Sequence, residues 1–160
     1  MEVDCDIGDW PGTNWDALAE RIAAFTASIE PALHNARLTV SVLFTSDDEI
    51  HALNLEWRKR NKPTNVLSFP MLTRRELQSL DAVGPPVLLG DIALAYETCS
   101  AEADEKDVAL QDHAAHLLVH GFLHLAGHDH QDDAAAETME RLEIEALAKL
   151  GIADPYSIVE

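Results

Sequence analysis

Apolar side chains recur along the chain at two spacings, one typical of helices and one typical of strands. In residues 14–30 they recur every three or four positions and Pro31 follows, which predicts a helix that ends before the proline. Residues 37–44 alternate apolar and polar side chains and are rich in β-branched types, which predicts a strand. Ser46 and Glu49 form a capping arrangement, so a second helix is expected to begin there.

Three shorter apolar runs predict the other strands. They are EVDCDI at residues 2–7, VLSF at residues 66–69 and LLGDIALA at residues 88–95, and the first is expected at a sheet edge. Residues 71–87 contain Gly-Pro-Pro near their end and show neither the helical nor the strand period. This segment is therefore predicted to be a mobile connection.

Two helices in succession are predicted in the last third of the chain. Apolar residues and histidines at helical period predict the first from about Leu110 to Ala126, and Gly127 stands where a left-handed residue would end it. The second covers residues 132–151, begins with acidic residues and stops at a glycine. Strands separated by helices, followed by two helices, predict one α+β domain over residues 1–160, with a small mixed sheet packed against several helices. The pattern does not order the strands.

The composition favours a cytoplasmic protein without a membrane span. No apolar run approaches the roughly 20 residues that cross a bilayer, and the N-terminus is acidic, unlike that of a signal peptide. The two cysteines, Cys5 and Cys99, form neither a disulfide framework nor a close metal-binding pair, which suits a reducing compartment. The formal net charge of -18 disfavours general binding to nucleic acid, so any such contact is expected to be local.

Local basic charge is concentrated in one part of the chain. Of eleven lysines and arginines, six lie between positions 58 and 75. They are Arg58, Lys59, Arg60, Lys62, Arg74 and Arg75. Charge alone is equally consistent with a solvated loop and with a phosphate contact.

Five of the eight histidines fall within HLLVHGFLHLAGHDH, residues 116–130. His120 and His124 are one turn apart on one helix face, about 5–6 Å between Cβ atoms, and His130 follows the predicted helix end, where a turn can return its ring. Three protein ligands with an open fourth position are typical of catalytic zinc, which lowers the pKa of a bound water to about 7. The spacing predicts one Zn²⁺ held by these three imidazoles, on a helix and loop near one end of the domain.

The neighbouring polar residues are candidates for other roles. His116 lies one turn before His120 and is a possible fourth ligand, but a buried, hydrogen-bonded role is favoured for it. His113 and His128 stay open, and Asp129 is a candidate to orient the second nitrogen of a ligand.

These motifs resemble those of the YbeY family, bacterial single-domain metal-dependent endoribonucleases. HGFLHLAGHDH, residues 120–130, is similar to the family's H-G-x-L-H-L-x-G-Y-D-H, with His128 in place of the usual tyrosine. NLEWRKRNKPTNVLSFP, residues 54–70, and LLGDIALA, residues 88–95, are similar to two further family blocks in the same order. Together the matches span most of residues 38–150.

The resemblance implies a single-strand-specific endoribonuclease of ribosomal RNA processing, including 16S rRNA 3′ end maturation, and of ribosome quality control. It implies zinc at His120, His124 and His130, and a functional Arg58 that would stabilise negative charge on a phosphate oxygen. The basic residues after Arg58 would then be a local phosphate contact. Expected partners are ribosomal RNA and, further, ribosomal proteins or the small ribosomal subunit, with no organic cofactor and no membrane.

Two other functions stay open at this point. A zinc-dependent peptidase or amide hydrolase would use the same triad, but the usual H-E-x-x-H motif carries a glutamate base where this chain has Gly121. A non-catalytic ribosome-assembly factor would use the zinc only to hold the helix to its loop.

Overall fold

The computed structural model describes residues 1–62 and 64–156. Within them lie four strands: β1 (Glu2–Ile7), β2 (Leu38–Thr45), β3 (Val66–Pro70) and β4 (Val87–Ala95). The α-helices of the same residues are α1 (Trp15–Ile29), α2 (Asp47–Arg58), α3 (Arg74–Gln78), α4 (Tyr96–Lys106), α5 (Leu110–Leu125) and α6 (Asp133–Ala148). A 3₁₀ turn over Pro31–Leu33 follows α1. Within the described residues, none of the helices combines the length and the apolar character that a membrane span needs.

The strands form one mixed sheet in the order β1-β2-β4-β3. β1, β2 and β4 run parallel, and β3 runs antiparallel to β4. β4 is nearly continuously apolar, which suits a central strand covered on both faces. The mixed sheet with its surrounding helices confirms the predicted α+β fold, and β1 lies at a sheet edge as expected.

Helices cover the two faces of the sheet unequally. α1 and α5 pack together on one face, with α6 against both. Alternate residues of β2 are buried in this core, as the period of two predicts, together with large side chains of both helices. These residues are Trp15, Ile22, Leu38, Val40, Val42, Phe44, Leu118 and Phe122. On the other face α2 places Ile50 against residues of β3 and β4. α5 packs against β3, and residues of both elements line the cleft of the candidate site.

Two helices were not predicted from the sequence. Part of segment 71–87, predicted to be a mobile connection, is the helix α3, which begins with a capping box between Thr73 and Glu76. A five-residue helix is too short to show a hydrophobic period. α4 begins directly after β4 without a side-chain cap, and only Cys99 and Ala103 of its residues are buried, so its apolar pattern is weak.

Candidate metal centre

The end of α5 brings the predicted third histidine back to the helix. Gly127 has φ +100°, and the amides of Gly127 and His128 each donate to α5 carbonyls at 3.0 Å, those of His124 and Leu123. A Cβ at Gly127 would lie 2.8 Å from the Cβ of Arg74, so glycine is required by space as well as by backbone conformation. After this turn the ring of His130 stacks on that of His120, with centroids 5.2 Å apart and planes inclined by 16°.

The four predicted site residues line one cleft of about 180 Å³. His120 and His124 come from α5, His130 from the loop after it, and Arg58 from the end of α2. The complete lining is Arg58, Val66, Ser68, His120, His124, Asp129 and His130. The cleft therefore combines three imidazoles with one exposed guanidinium.

Glu143 of α6, which is not among the residues that line the cleft, holds His120. Its carboxylate is fully buried and accepts a hydrogen bond from Nδ1 of His120 at 3.0 Å. His116 Nε2 lies 3.3 Å from the same oxygen, and the Tyr156 hydroxyl donates to the other oxygen at 2.8 Å. Burial acts to raise the pKa of Glu143, but the hydrogen bonds from His116, His120 and Tyr156 outweigh it and lower that pKa to about 2.

His124 is held in a similar way by β3. Its Nδ1 is hydrogen-bonded to the Ser68 hydroxyl, and its pKa is lowered by burial first and then by the charges of His120 and Arg58. A lowered pKa keeps the imidazole neutral, which is the form that binds metal ions. Because His120 and His124 both use Nδ1 for protein contacts, Nε2 is the nitrogen that each has for an ion. The donor set fits a transition-metal ion that prefers nitrogen ligands.

Among the described residues, the ligand atoms that converge are not those of the predicted set, because the nitrogens of His124 are not part of the group. His120, His130 and Glu143 each offer an atom within 4.8 Å of the others. In this set Glu143 takes the place of His124. Glu143 does not line the cleft, and both its oxygens already accept hydrogen bonds.

The loop that carries His130 is tied to distant parts of the chain by Glu30, at the C-terminus of α1. Glu30 is 5% exposed and accepts a hydrogen bond from His128 Nε2 at 2.5 Å. Arg74 of α3 pairs with the same carboxylate at 3.2 Å and donates to the Ala126 carbonyl at 2.8 Å. The residue that departs from the family signature, His128, thus contributes to the anchoring of the loop.

The basic residues noted in the sequence separate in space. Arg58 is exposed, and α2 ends there because Lys59, the next residue, has a left-handed backbone with φ +58°. Asn54 fixes the following segment, because its side chain donates to the Lys62 carbonyl at 2.8 Å and its own carbonyl accepts from the Arg60 amide at 3.1 Å. Arg74, by contrast, is committed to Glu30. Of the basic residues noted in the sequence, Arg58 is the one that lines the cleft, and residues 59–62 follow it directly in the chain.

The sequence predicted Arg58 and the histidines that line the cleft, but not the residues that hold those histidines in place. The buried role favoured for His116 is confirmed. Asp129, a candidate to orient the second nitrogen of a ligand, accepts from the Gln131 amide and bonds to no histidine within the part of the chain that is described. Glu143 has that role for His120, and it could have been found as a charged residue among apolar ones on the buried stripe of α6.

Comparisons with known proteins agree on one family. A family model described as Endoribonuclease YbeY matches residues 6–151. A relative from Erythrobacter litoralis (strain HTCC2594), named Endoribonuclease YbeY, is 62% identical over 98% of this chain and 98% of its own length. A relative of the same name from Novosphingobium aromaticivorans is 51% identical over 99% of this chain and 95% of its own. The solution structure of TM1509 from Thermotoga maritima shares the fold, with a TM-score of 0.59 and 22% identity over 98% of this chain and 99% of that one.

Proposed function

Because the chain belongs to the YbeY family, which is metal-dependent, we propose that it is an endoribonuclease that hydrolyses RNA in ribosomal RNA processing. The observation that carries the proposal is that three imidazoles and Arg58 line one cleft. In finer detail, we propose single-stranded substrates, 16S rRNA 3′ end maturation and a part in ribosome quality control. The whole chain, residues 1–160, would act as one hydrolase domain.

The proposed metal is one Zn²⁺, with His120, His124 and His130 as its ligands. In support, the three rings line the same cleft, while the carboxylate of Glu143 stands outside it with both oxygens occupied. Three protein ligands leave a coordination position for substrate or water. A divalent ion bound there would polarise the phosphate and activate the attacking oxygen.

The proposed catalytic residue of the chain itself is Arg58. Cleavage of a phosphodiester builds negative charge on the phosphoryl oxygens, and a guanidinium can donate two parallel hydrogen bonds to them. Arg58 is exposed at the cleft, so it can meet a phosphate without displacement of core residues. It would bind the scissile phosphate and offset the charge that develops on it.

Charge also suggests how the substrate reaches the cleft. The net charge of -18 repels RNA at long range, whereas residues 58–62 offer a short basic contact beside the cleft. We propose that ribosomal RNA is the substrate, and that ribosomal proteins or the small ribosomal subunit bring it to the enzyme in the cytoplasm. A local contact of this kind suits RNA that is already held by a basic partner.

The alternative functions find less support. A zinc peptidase of the H-E-x-x-H type would need a glutamate at Gly121, but a Cβ there would lie 2.9 Å from Ile92 Cδ1 of β4. The chain lacks that base, and α5 packs closely on the sheet at its position. A purely structural zinc would give Arg58 no role in the cleft.

RNA cleavage by the purified, metal-loaded protein tests the proposal. Cleavage of single-stranded RNA should exceed that of duplex RNA, disappear on chelation and return with added zinc. His130→Ala, purified in the same way, should lack it, which controls for contaminating nucleases. Intact RNA after incubation with protein of measured stoichiometric metal content would contradict the proposal, and chelator-sensitive cleavage of peptides instead would favour the peptidase.

A further inference from the structure

We propose that Glu143 is a positioning residue for the metal centre, and that Tyr156, beyond the end of α6, holds it in place. Glu143 would fix the ring orientation and tautomer of His120, so that Nε2 of that histidine is the ligand atom. This inference rests on the proposed function, because it assigns a support to the metal site proposed there.

The hydrogen bonds of Glu143 converge on one buried carboxylate. Nδ1 of His120 donates to Oε1 at 3.0 Å, and the Tyr156 hydroxyl donates to Oε2 at 2.8 Å. Glu143 is 0% exposed, so water does not compete for these bonds. A carboxylate that accepts from one ring nitrogen of a histidine leaves the other nitrogen with its lone pair, orients the ring and increases its basicity towards an ion.

His116 completes the support from the preceding turn of α5. Its Nε2 lies 3.3 Å from Oε1 of Glu143 and 3.2 Å from the Tyr156 hydroxyl, and its Nδ1 is buried without a partner among the described residues. With the proton on Nε2, only a lone pair of the ring stays unpaired, and the N–H donates to the Tyr156 hydroxyl. That hydroxyl donates in turn to Oε2 of Glu143, so His116 supports the carboxylate through Tyr156 and through its own proximity to Oε1.

This arrangement argues for positioning and against direct ligation by Glu143. Direct ligation would require Oε1 to give up the hydrogen bond from Nδ1 of His120, because an ion bound at Nε2 lies on the other edge of that ring. The carboxylate also stands outside the set of residues that line the cleft, whereas His124 lines it. The ligand set with His124 keeps every bond of Glu143 intact.

Metal affinity measured by competition with a coloured chelator tests the inference, for Zn²⁺ and for Co²⁺. Glu143→Gln keeps the shape of the side chain and removes its charge, and it should weaken binding by about 10–100-fold. Tyr156→Phe should weaken it in the same direction by a smaller factor. Glu145→Gln, the same change at an exposed position two residues along α6, should bind like the wild type.

The visible spectrum of the Co²⁺ protein separates positioning from ligation. If Glu143 only positions His120, the Glu143→Gln spectrum keeps the wild-type shape once the site is saturated. Wild-type affinity in Glu143→Gln, or a spectrum of that variant that reports a lost ligand, would overturn the inference. The proposed function would still stand in that case, provided that the wild type binds metal. Should the wild type itself bind no metal, the proposed function fails together with the inference.

Melting temperatures of the metal-free proteins distinguish positioning from a merely structural role. Such a role would lower the melting temperature but leave affinity unchanged at a temperature where all variants are folded. If Glu143→Gln does not fold, Tyr156→Phe decides, and unchanged affinity in that variant would overturn the inference.

Discussion

Arg58 differs from the other basic residues near the cleft in that it lines the cleft itself. A guanidinium presents a rigid fork that matches two oxygens of a phosphate, whereas an ammonium acts as a point charge. The function proposed for Arg58 depends on that geometry as well as on its charge. This distinction can be tested without disturbance of the metal ligands.

We expect Arg58→Ala to lower kcat/KM for RNA by about 100–1,000-fold, as loss of one donor to a transition-state oxyanion does elsewhere. Arg58→Lys should recover part of the loss, because it restores charge but not the fork. Metal content should stay at the wild-type level in both. Arg75→Ala, which removes an exposed arginine that is not part of the cleft lining, is the control, and an Arg58→Ala enzyme as active as that control would refute the role.

The ionised carboxylate of Glu143 leads to a prediction about the stability of the protein in acid. Its folded-state pKa of about 2 lies below the ordinary value of 4.5, so its stabilisation is present above pH 4.5 and is lost as the pH falls towards 2. The shift corresponds to about 3 kcal/mol. In metal-free protein, urea unfolding of wild type and Glu143→Gln should differ most at neutral pH and converge near pH 2. A difference that does not vary with pH would contradict this.

At the scale of elements, the loop after α5 depends on contacts with α1 and α3. Glu30 joins the end of α1 to Arg74 of α3 and to His128 of the loop, two residues before His130. Burial acts to raise the pKa of Glu30, but bonds from His128, the Ala32 amide and Arg74 lower it, so the carboxylate is ionised at neutral pH. The position of His130 thus depends on residues about a hundred positions earlier in the chain.

We expect Glu30→Gln to loosen this loop. Loss of a charge-assisted bond in a largely buried site costs about 1.5–3 kcal/mol, so the amides of residues 127–130 should exchange hydrogen about 10–100 times faster. Hydrogen-exchange mass spectrometry of the metal-free protein measures this, with Glu20→Gln on the exposed face of α1 as control. Equal exchange in the two variants would show that the anchor does not order the loop.

At the scale of the whole molecule, the short basic contact limits the salt dependence of RNA binding. Arg58, Lys59, Arg60 and Lys62 can neutralise about four phosphates, which for a single strand predicts a slope near -3 in log K against log salt concentration. Fluorescence anisotropy with an uncleavable analogue of a short single-stranded RNA measures the slope. A slope steeper than about -6 would indicate a larger basic surface than residues 58–62 supply.

Local features of this molecule could be predicted from sequence, and long-range ones could not. His120, His124 and Gly127 lie within eight residues, so helical geometry alone places them, and the histidine-rich run drew attention to them. Glu143 and Glu30 reach the site through α6 and α1, and no spacing rule connects them to it. The strand order has the same limitation, because β4 enters the sheet between β2 and β3 only after a crossover.

The central claim is that His124, together with His120 and His130, holds one ion. Elemental analysis of purified wild type and of His124→Ala, with the metal-free melting temperature of each as a check on folding, tests it most directly. We predict one ion per chain in the wild type and loss of that ion in the folded variant. A folded His124→Ala protein that retains one ion with wild-type affinity would contradict the account, and would favour the set of His120, His130 and Glu143.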